Sequence, residues 1–180
     1  SNPYVAFSGR IQVVKYDGNG ADPLVGSAAT GWIAPVKPLS DTGKDANDGD
    51  HVVEYPVGEA QPVHWLVTNT GTTWLTGIGL TDTTTMGPPV GDWTCDLSGV
   101  GGPAAYSFTS SGPWAGPLAP GASFLCQGPL TLPENTLHTD TVDVVGTVVR
   151  PLLGDDGKPV VDANGVPRYV TDAAGQPVPS

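Results

Sequence analysis

Glycine and proline set the strongest limit on the fold of this chain. The 180 residues include 25 glycines and 19 prolines, close to a quarter of the sequence. Inside a helix each glycine costs about 1 kcal/mol and each proline about 3 kcal/mol, which excludes long helices. These residues are dispersed between runs rich in Val, Thr and Trp, so they separate strands and do not mark disorder. The sequence therefore predicts an all-β fold.

The clearest local pattern runs from Pro62 to Asp82. Alternating apolar positions from Val63 to Val67 stop at Asn69-Thr70-Gly71, and apolar positions resume at Leu75. Because Asn and Gly tolerate a positive φ, this pattern predicts a strand, a tight turn and a second strand in one hairpin. About eight short strands of this kind, including residues 105–110 and 139–149, predict a two-sheet antiparallel β-sandwich.

The last thirty residues differ in pattern from the rest. DDGKPV, DANGVP and DAAGQPV each place acidic residues before a Gly and then a Pro, which is typical of turns. We therefore divide the chain into a β-sandwich over residues 1–150 and a turn-rich tail over residues 151–180. The tail is interpreted either as a small array of hairpins or as a linker to a neighbouring domain.

Charge and hydropathy exclude several functions. Seven basic residues face eighteen acidic ones, for a net charge of −11. Nucleic-acid binding needs clustered Lys and Arg, so no nucleic-acid partner is expected, and an anionic membrane surface is disfavoured for the same reason. No apolar run approaches the roughly 20 residues that a membrane span needs, so we expect no membrane insertion by this chain.

Two cysteines, Cys95 and Cys126, are compatible with one disulfide. Closing a loop of about 30 residues is worth roughly 3–4 kcal/mol by the entropic estimate. Both cysteines border strand-like runs and the chain has an extracellular character, which favours the disulfide. The alternative is a pair of buried thiols.

The sequence gives little support for an enzyme. The histidines at 51, 64 and 138 lack zinc-ligand spacing, and the serines lie in turns without a nucleophile elbow. Trp93 and Trp114 are candidate ligand-binding residues for a glycan or a host protein. That alternative requires the two rings to be exposed together on one flat face, whereas a tryptophan in the middle of a sandwich strand belongs to the core.

Acidic loops offer a candidate Ca²⁺ site. Calcium prefers several carboxylate and carbonyl oxygens, and the loop DANDGD carries them at Asp45, Asn47, Asp48 and Asp50. The pattern does not match an EF-hand. Turns in which Asn and Asp side chains bind their own backbone are the alternative, and otherwise no cofactor is expected.

Three ionisable residues fall on predicted inward faces. By the period of two, Lys15 shares a face with Val13, Asp82 with Leu80, and Asp140 with Val142. An isolated buried charge is very costly, so inward-facing charges on the first, a middle and the last strand are expected to meet one another. The alternative is a lysine whose amino group reaches out to water.

Four elements in order carry a family resemblance over residues 11–149. They are VVKYDGNGAD near the start, VTNTG at 67–71 with the LTD of 80–82, LAPGASFLC at 118–126, and TDTVDVVG at 139–146. The chain resembles the repeated immunoglobulin-like domains of bacterial cell-wall and adhesin proteins, apart from long insertions at 23–44 and 98–116. The resemblance implies a stalk, spacer or adhesin module, on a bacterial cell surface or secreted, whose partners are neighbouring domains of the same protein.

The resemblance also gives the ionisable triad a candidate chemistry. Surface domains of Gram-positive bacteria place a Lys, an acid and an Asn or Asp in this way and form an internal isopeptide bond. The chemistry needs an apolar site that favours the neutral amine and a carboxyl group that stays protonated. Lys15 would be the nucleophile, Asp140 the acceptor and Asp82 the proton shuttle, although the usual acceptor is Asn. A non-covalent ion cluster is the alternative.

Overall fold

The computed structural model describes residues 9–17, 24–26, 33–35, 57–158, 160–163, 168–174 and 178. The strands are β1 (Ile11–Asp17), β2 (Leu24–Gly26), β3 (Ile33–Pro35), β4 (Ala60–Asn69), β5 (Trp74–Met86), β6 (Thr94–Asp96), β7 (Ser123–Thr131) and β8 (Thr139–Val149). The only helical segments described are a 3-10 turn at Ser98–Val100 and a single turn of helix, α1, at Phe108–Ser111.

Two antiparallel sheets build the domain. The first has the strand order β1-β4-β7-β6, and the second pairs β5 with β8. Backbone bonds between Leu75 and Leu118, and between Ile78 and Trp114, add residues 114–118 to the free edge of β5. A separate short ribbon pairs β2 with β3. The prediction of an all-β, two-sheet antiparallel sandwich is confirmed.

The core lies between the two sheets. Trp65 and Val67 from β4, with Phe124 from β7, pack with Leu75 and Ile78 from β5, and all five side chains are buried. Ile11 and Val13 of β1 cover one margin of this core. Burying a large apolar side chain is worth about 1.5–3 kcal/mol, so this shared layer is the main force that holds the two sheets together.

The prediction of a hairpin over residues 62–82 is wrong. The strands β4 and β5 do not pair with each other, because β4 lies between β1 and β7 while β5 pairs with β8 in the opposite sheet. The turn at Asn69-Thr70-Gly71 therefore carries the chain from one sheet to the other. The same local turn sequence is compatible with a hairpin and with a crossing between sheets. The crossing is selected because the apolar faces of β4 and β5 are buried against each other.

Asn69 fixes this crossing. Its side chain is fully buried, and its amide nitrogen donates to the carbonyl oxygens of Thr73 (2.8 Å) and Leu118 (3.0 Å). Its backbone bonds Gly121 and Ala122 in the turn that precedes β7. The VTNTG and LAPGAS segments are thus in direct contact, with one buried asparagine satisfying the backbone of both turns.

The Gly-rich insertion contains a second misassigned element. Residues 105–110 were predicted as a strand, but only Tyr106 makes a strand-like bridge, to Cys95, and the chain then turns into α1. The helical turn stops at Gly112, whose φ is 73°. Phe108 is buried against Phe124. The aromatic residues that suggested a strand serve here to pack a loop onto the core.

The tail closes two rings of backbone hydrogen bonds. Each ring joins the backbones of three residues. One ring consists of residues 150, 170 and 178, and the other of residues 152, 160 and 168. The Tyr169 hydroxyl group lies 2.9 Å from Thr76 Oγ1 and donates to the carbonyl oxygen of Ala115 at 3.3 Å. The described residues of the tail therefore form hydrogen-bonded turns that contact the sandwich.

Candidate functional site

The residues Lys15, Asp82 and Asp140 meet at one end of the sandwich. Asp82 lies opposite Val142 in the β5–β8 pairing, and Asp140 lies opposite Thr84, so the two carboxyl groups are diagonal neighbours on one face. Lys15 reaches them from β1, which belongs to the other sheet and packs beside β8. The cluster therefore bridges the two sheets.

Lys15 and Asp140 form a buried ion pair. The lysine Nζ contacts Asp140 Oδ2, and the two side chains are only 8% and 7% exposed. The Nζ atom also lies 5.8 Å from the centre of the Trp65 ring, within the range of a cation–π interaction. With an aromatic wall and little solvent, the amine and the carboxyl group are held together in an apolar setting.

Asp82 is the protonatable member of the cluster. Its pKa is raised from 3.8 to about 6, mainly because burial penalises the charged form and because the negative charge of Asp140 adds to that penalty. A hydrogen bond with Asp140 raises the pKa further, and the charge of Lys15 opposes these effects. Asp82 can therefore hold or release a proton near neutral pH, beside the ion pair.

Asp140 behaves in the opposite way. Burial alone would raise its pKa, but hydrogen bonds from His138 and Lys15, together with their positive charges, lower it below the ordinary value. The pKa values of the two neighbouring carboxyl groups are thus shifted in opposite directions, so that Asp82 favours the acid and Asp140 favours the carboxylate. Such a separation of two titratable groups is the arrangement that assigns acid and base roles in catalytic sites.

His138 completes the cluster, and the sequence interpretation missed it. Its Nε2 lies 2.8 Å from Asp140 Oδ2, its Nδ1 lies 2.9 Å from the carbonyl oxygen of Pro88, and its side chain is 9% exposed. The sequence did contain a signal. The period of two that places Asp140 and Val142 on the inward face also includes His138, one step before the predicted strand begins.

The arrangement has one clear chemical capacity. A primary amine contacts a carboxyl group, and two further groups that can carry protons adjoin that carboxyl group. A buried ion pair of this kind contributes little net stability, since desolvation offsets the attraction. The same geometry is suited to condensation of the amine with the carboxyl group, because the amine already contacts that carboxyl group.

The cysteines lie in the sheet that contains Lys15, and β4 separates them from that lysine. Cys95 of β6 and Cys126 of β7 are direct cross-strand partners and form a disulfide. Both residues are fully buried.

The tryptophan pair does not form an exposed platform. Trp114 is 6% exposed and packs edge-on against Phe124, while Trp93 is half-buried between Trp65 and Phe108. The condition for ligand binding at Trp93 and Trp114, that both rings be exposed together on one flat face, is therefore not met. Their apolar area contributes to the core instead.

The candidate calcium loop, with Asp45, Asn47, Asp48 and Asp50, lies outside the described residues. Among the residues that are described, no group of three or more His, Cys, Asp or Glu side chains is arranged to hold a metal ion. None of the helices in this described part is long and apolar enough to cross a membrane.

Comparisons with known proteins found no match to this chain among family models, curated proteins or solved structures. The geometry of the cluster and the fold are therefore the features that bear on the function of this chain.

Proposed function

We propose that this chain is a structural module, a stalk, spacer or adhesin domain, of a bacterial cell-surface protein. We propose further that an isopeptide bond between Lys15 and Asp140 cross-links it internally. The observation that carries the proposal is the buried contact between these two side chains, which joins the first strand to the last strand with a protonatable carboxyl group beside them. The resemblance of the VTNTG and LAPGAS segments to bacterial surface domains supports the same setting.

The condensation balances without any added reactant. The neutral amine of Lys15 attacks the carboxyl carbon of Asp140, a C–N bond forms, and one C–O bond breaks. Starting from the ammonium and the carboxylate, nitrogen loses two protons and the departing oxygen gains two, so the products are an amide and one water molecule. Asp82 takes a proton from the amine and passes a proton on to oxygen, which its pKa of about 6 allows near neutral pH.

The position of the bond suits a mechanical role. Lys15 and Asp140 are 125 residues apart in sequence, and they lie on β1 and β8, the first and the last of the described strands along the chain. A covalent bond there would carry a pulling force directly between the terminal strands, and the residues enclosed by the bond would not be stretched. A module of this kind would present neighbouring domains of the same protein and resist shear and proteolysis.

The disulfide and the charge support an extracellular location. Disulfides persist in oxidising compartments, and Cys95–Cys126 is fully buried in the core. The net charge of −11 favours a soluble, well-hydrated surface.

Intact mass tests the proposal directly. We expect the purified chain to be lighter than its sequence by one water molecule, after allowance for the two hydrogens lost to the disulfide. Digestion should yield a branched peptide that joins the segments around Lys15 and Asp140. Lys15→Arg keeps the positive charge but provides no nucleophilic amine, and Asp140→Ala removes the acceptor, so both variants should have the full mass. A wild-type chain of full mass would overturn the covalent bond.

A further inference from the structure

His138 contacts one carboxyl oxygen of Asp140, the residue proposed to accept the Lys15 amine. The Nε2 atom of His138 lies 2.8 Å from Asp140 Oδ2, the same oxygen that Lys15 contacts. The side chain of His138 is 9% exposed, so water has little access to this oxygen from the histidine side. The described charged groups around the imidazole ring are Lys15 from β1, Asp82 from β5 and Asp140 from β8.

The second hydrogen bond of His138 fixes its protonation. The partner of Nδ1 is the carbonyl oxygen of Pro88, at 2.9 Å, and a carbonyl oxygen can only accept. Nδ1 must therefore carry a hydrogen. When Asp140 is a carboxylate it also only accepts, so Nε2 must carry a hydrogen as well, and His138 is then an imidazolium whose Nε2–H points at Oδ2.

The same hydrogen bond has a second form that requires no movement of heavy atoms. If the shared proton passes from Nε2 to Oδ2, His138 becomes neutral with the Nδ1–H tautomer, and Asp140 becomes a carboxylic acid. Only the neutral acid is a good electrophile for an amine, because a hydroxyl group leaves its carbon far more readily than an oxide would. The Pro88 carbonyl group accepts from Nδ1 in both forms, so the imidazole ring stays in place.

The proton balance of the condensation provides a role for a second carrier. Two protons must travel from the lysine nitrogen to the departing oxygen, and Asp82 can carry one of them. We propose that His138 is a catalytic residue of the cross-link and donates the other proton to Asp140 Oδ2 as this oxygen leaves as water. The second proton lost by Lys15 then restores the imidazolium, so that His138 is unchanged at the end. This inference rests on the proposed isopeptide bond.

A time course of the full chain tests the role of His138. The wild-type chain and His138→Gln are made by cell-free synthesis under oxidising conditions, quenched at intervals in acidic denaturant and measured by intact mass. The amide of Gln can donate a hydrogen bond but cannot transfer a proton. General acid catalysis contributes about 10²–10⁴-fold, so we expect His138→Gln to lose water at least about 10²-fold more slowly than the wild type.

His64→Gln is the matched control. His64 is also buried, but it alternates with Trp65 along β4 and so lies on the opposite face of the sheet from Lys15, which is paired with Trp65. This variant should lose water at the wild-type rate. A His138→Gln chain that is equally fast would overturn the role of His138 and leave the cross-link standing. A wild-type chain that never loses water would overturn both.

Disulfide formation and near-ultraviolet circular dichroism report whether His138→Gln folds. A second measurement does not depend on the folding of that variant. Lys15→Arg keeps a cation in the cluster but cannot react, so the histidine can be studied before condensation by ¹⁵N NMR. We expect Nδ1 to be protonated and Nε2 to share a proton with Asp140. An Nε2 atom that is bare and free of a hydrogen bond to Asp140 would overturn the proposal.

Discussion

The two cross-link positions of this domain differ in what they join. The disulfide connects Cys95 and Cys126, which are 31 residues apart and already paired as neighbours in one sheet. The Lys15–Asp140 contact connects residues that are 125 apart in sequence and lie in different sheets. Lys15 is on β1 and Asp140 is on β8, the first and the last of the described strands. The disulfide reinforces a pairing that backbone hydrogen bonds already make, whereas the second contact closes the sandwich.

Loop entropy alone would rank the two positions close together. The entropic estimate gives about 4 kcal/mol for the shorter loop and about 5 kcal/mol for the longer one, because the cost grows only with the logarithm of loop length. The large difference lies in how much chain each bond protects from force. A bond at Lys15–Asp140 would therefore contribute more to the resistance of the domain to force than its effect on the free energy of unfolding indicates.

The largest effect is expected from Lys15→Arg. Loss of the cross-link should lower the free energy of unfolding by about 5 kcal/mol, measured by denaturant titration. In single-molecule pulling, unfolding of this variant should release about 300 Å more chain than the wild type with the disulfide intact, and about 400 Å more after reduction. Equal extensions for the two chains would show that Lys15 and Asp140 are not covalently joined.

A smaller effect is expected from the double variant Cys95→Ala/Cys126→Ala. It should lower the free energy of unfolding by about 3–4 kcal/mol and leave the loss of one water molecule intact. In pulling experiments its extension should match that of the wild type, because the disulfide loop lies inside the segment that the Lys15–Asp140 bond encloses. A gain in extension with the isopeptide bond present would contradict this nesting.

Most of the ionisable cluster could be predicted from the sequence. The period of two placed Lys15, Asp82 and Asp140 on inward faces, and the structure brings the three together. Alternation is a local property, so it can be read without knowing the sheet order. His138 was missed because it was judged as an isolated histidine, although it continues the inward face of β8.

Strand pairing was not predictable from local signals. The turn at Asn69-Thr70-Gly71 fits a hairpin and a crossing equally well, and only the distant contacts of Asn69 with Leu118 and Gly121 distinguish them. The insertion shows the same limit. Trp114 and Phe108 look like ligand-binding or strand residues in isolation, but both are buried once the loop folds onto the core.

The smallest effect concerns pH, and Lys15→Arg allows it to be measured without the covalent bond. The pKa of Asp82 is raised from 3.8 to about 6, so between these values the folded state holds more protons than the unfolded state. Stability should therefore rise as the pH falls from about 6 to about 4. The expected gain is about 1 kcal/mol, less than the roughly 3 kcal/mol of the full shift, because solvent screens this half-buried carboxyl group.

The control for this pH effect is Lys15→Arg/Asp82→Asn, which should show no such rise over the same range. Asp140 does not obscure the result. Its lowered pKa gives a stability that is present above its ordinary value and is lost only at more acidic pH. A single variant and a double variant with identical pH profiles would contradict the assignment of Asp82 as the protonatable group.

Intact mass combined with peptide mapping of the purified wild-type chain is the most direct test of the proposed Lys15–Asp140 isopeptide bond. We expect a chain lighter by one water molecule and a branched peptide that joins Lys15 to Asp140, both absent in Lys15→Arg. Reduction of the disulfide should leave this deficit unchanged. A wild-type chain with its full mass after reduction, yielding separate peptides for Lys15 and Asp140, would contradict the cross-link and leave the cluster as a buried ion pair.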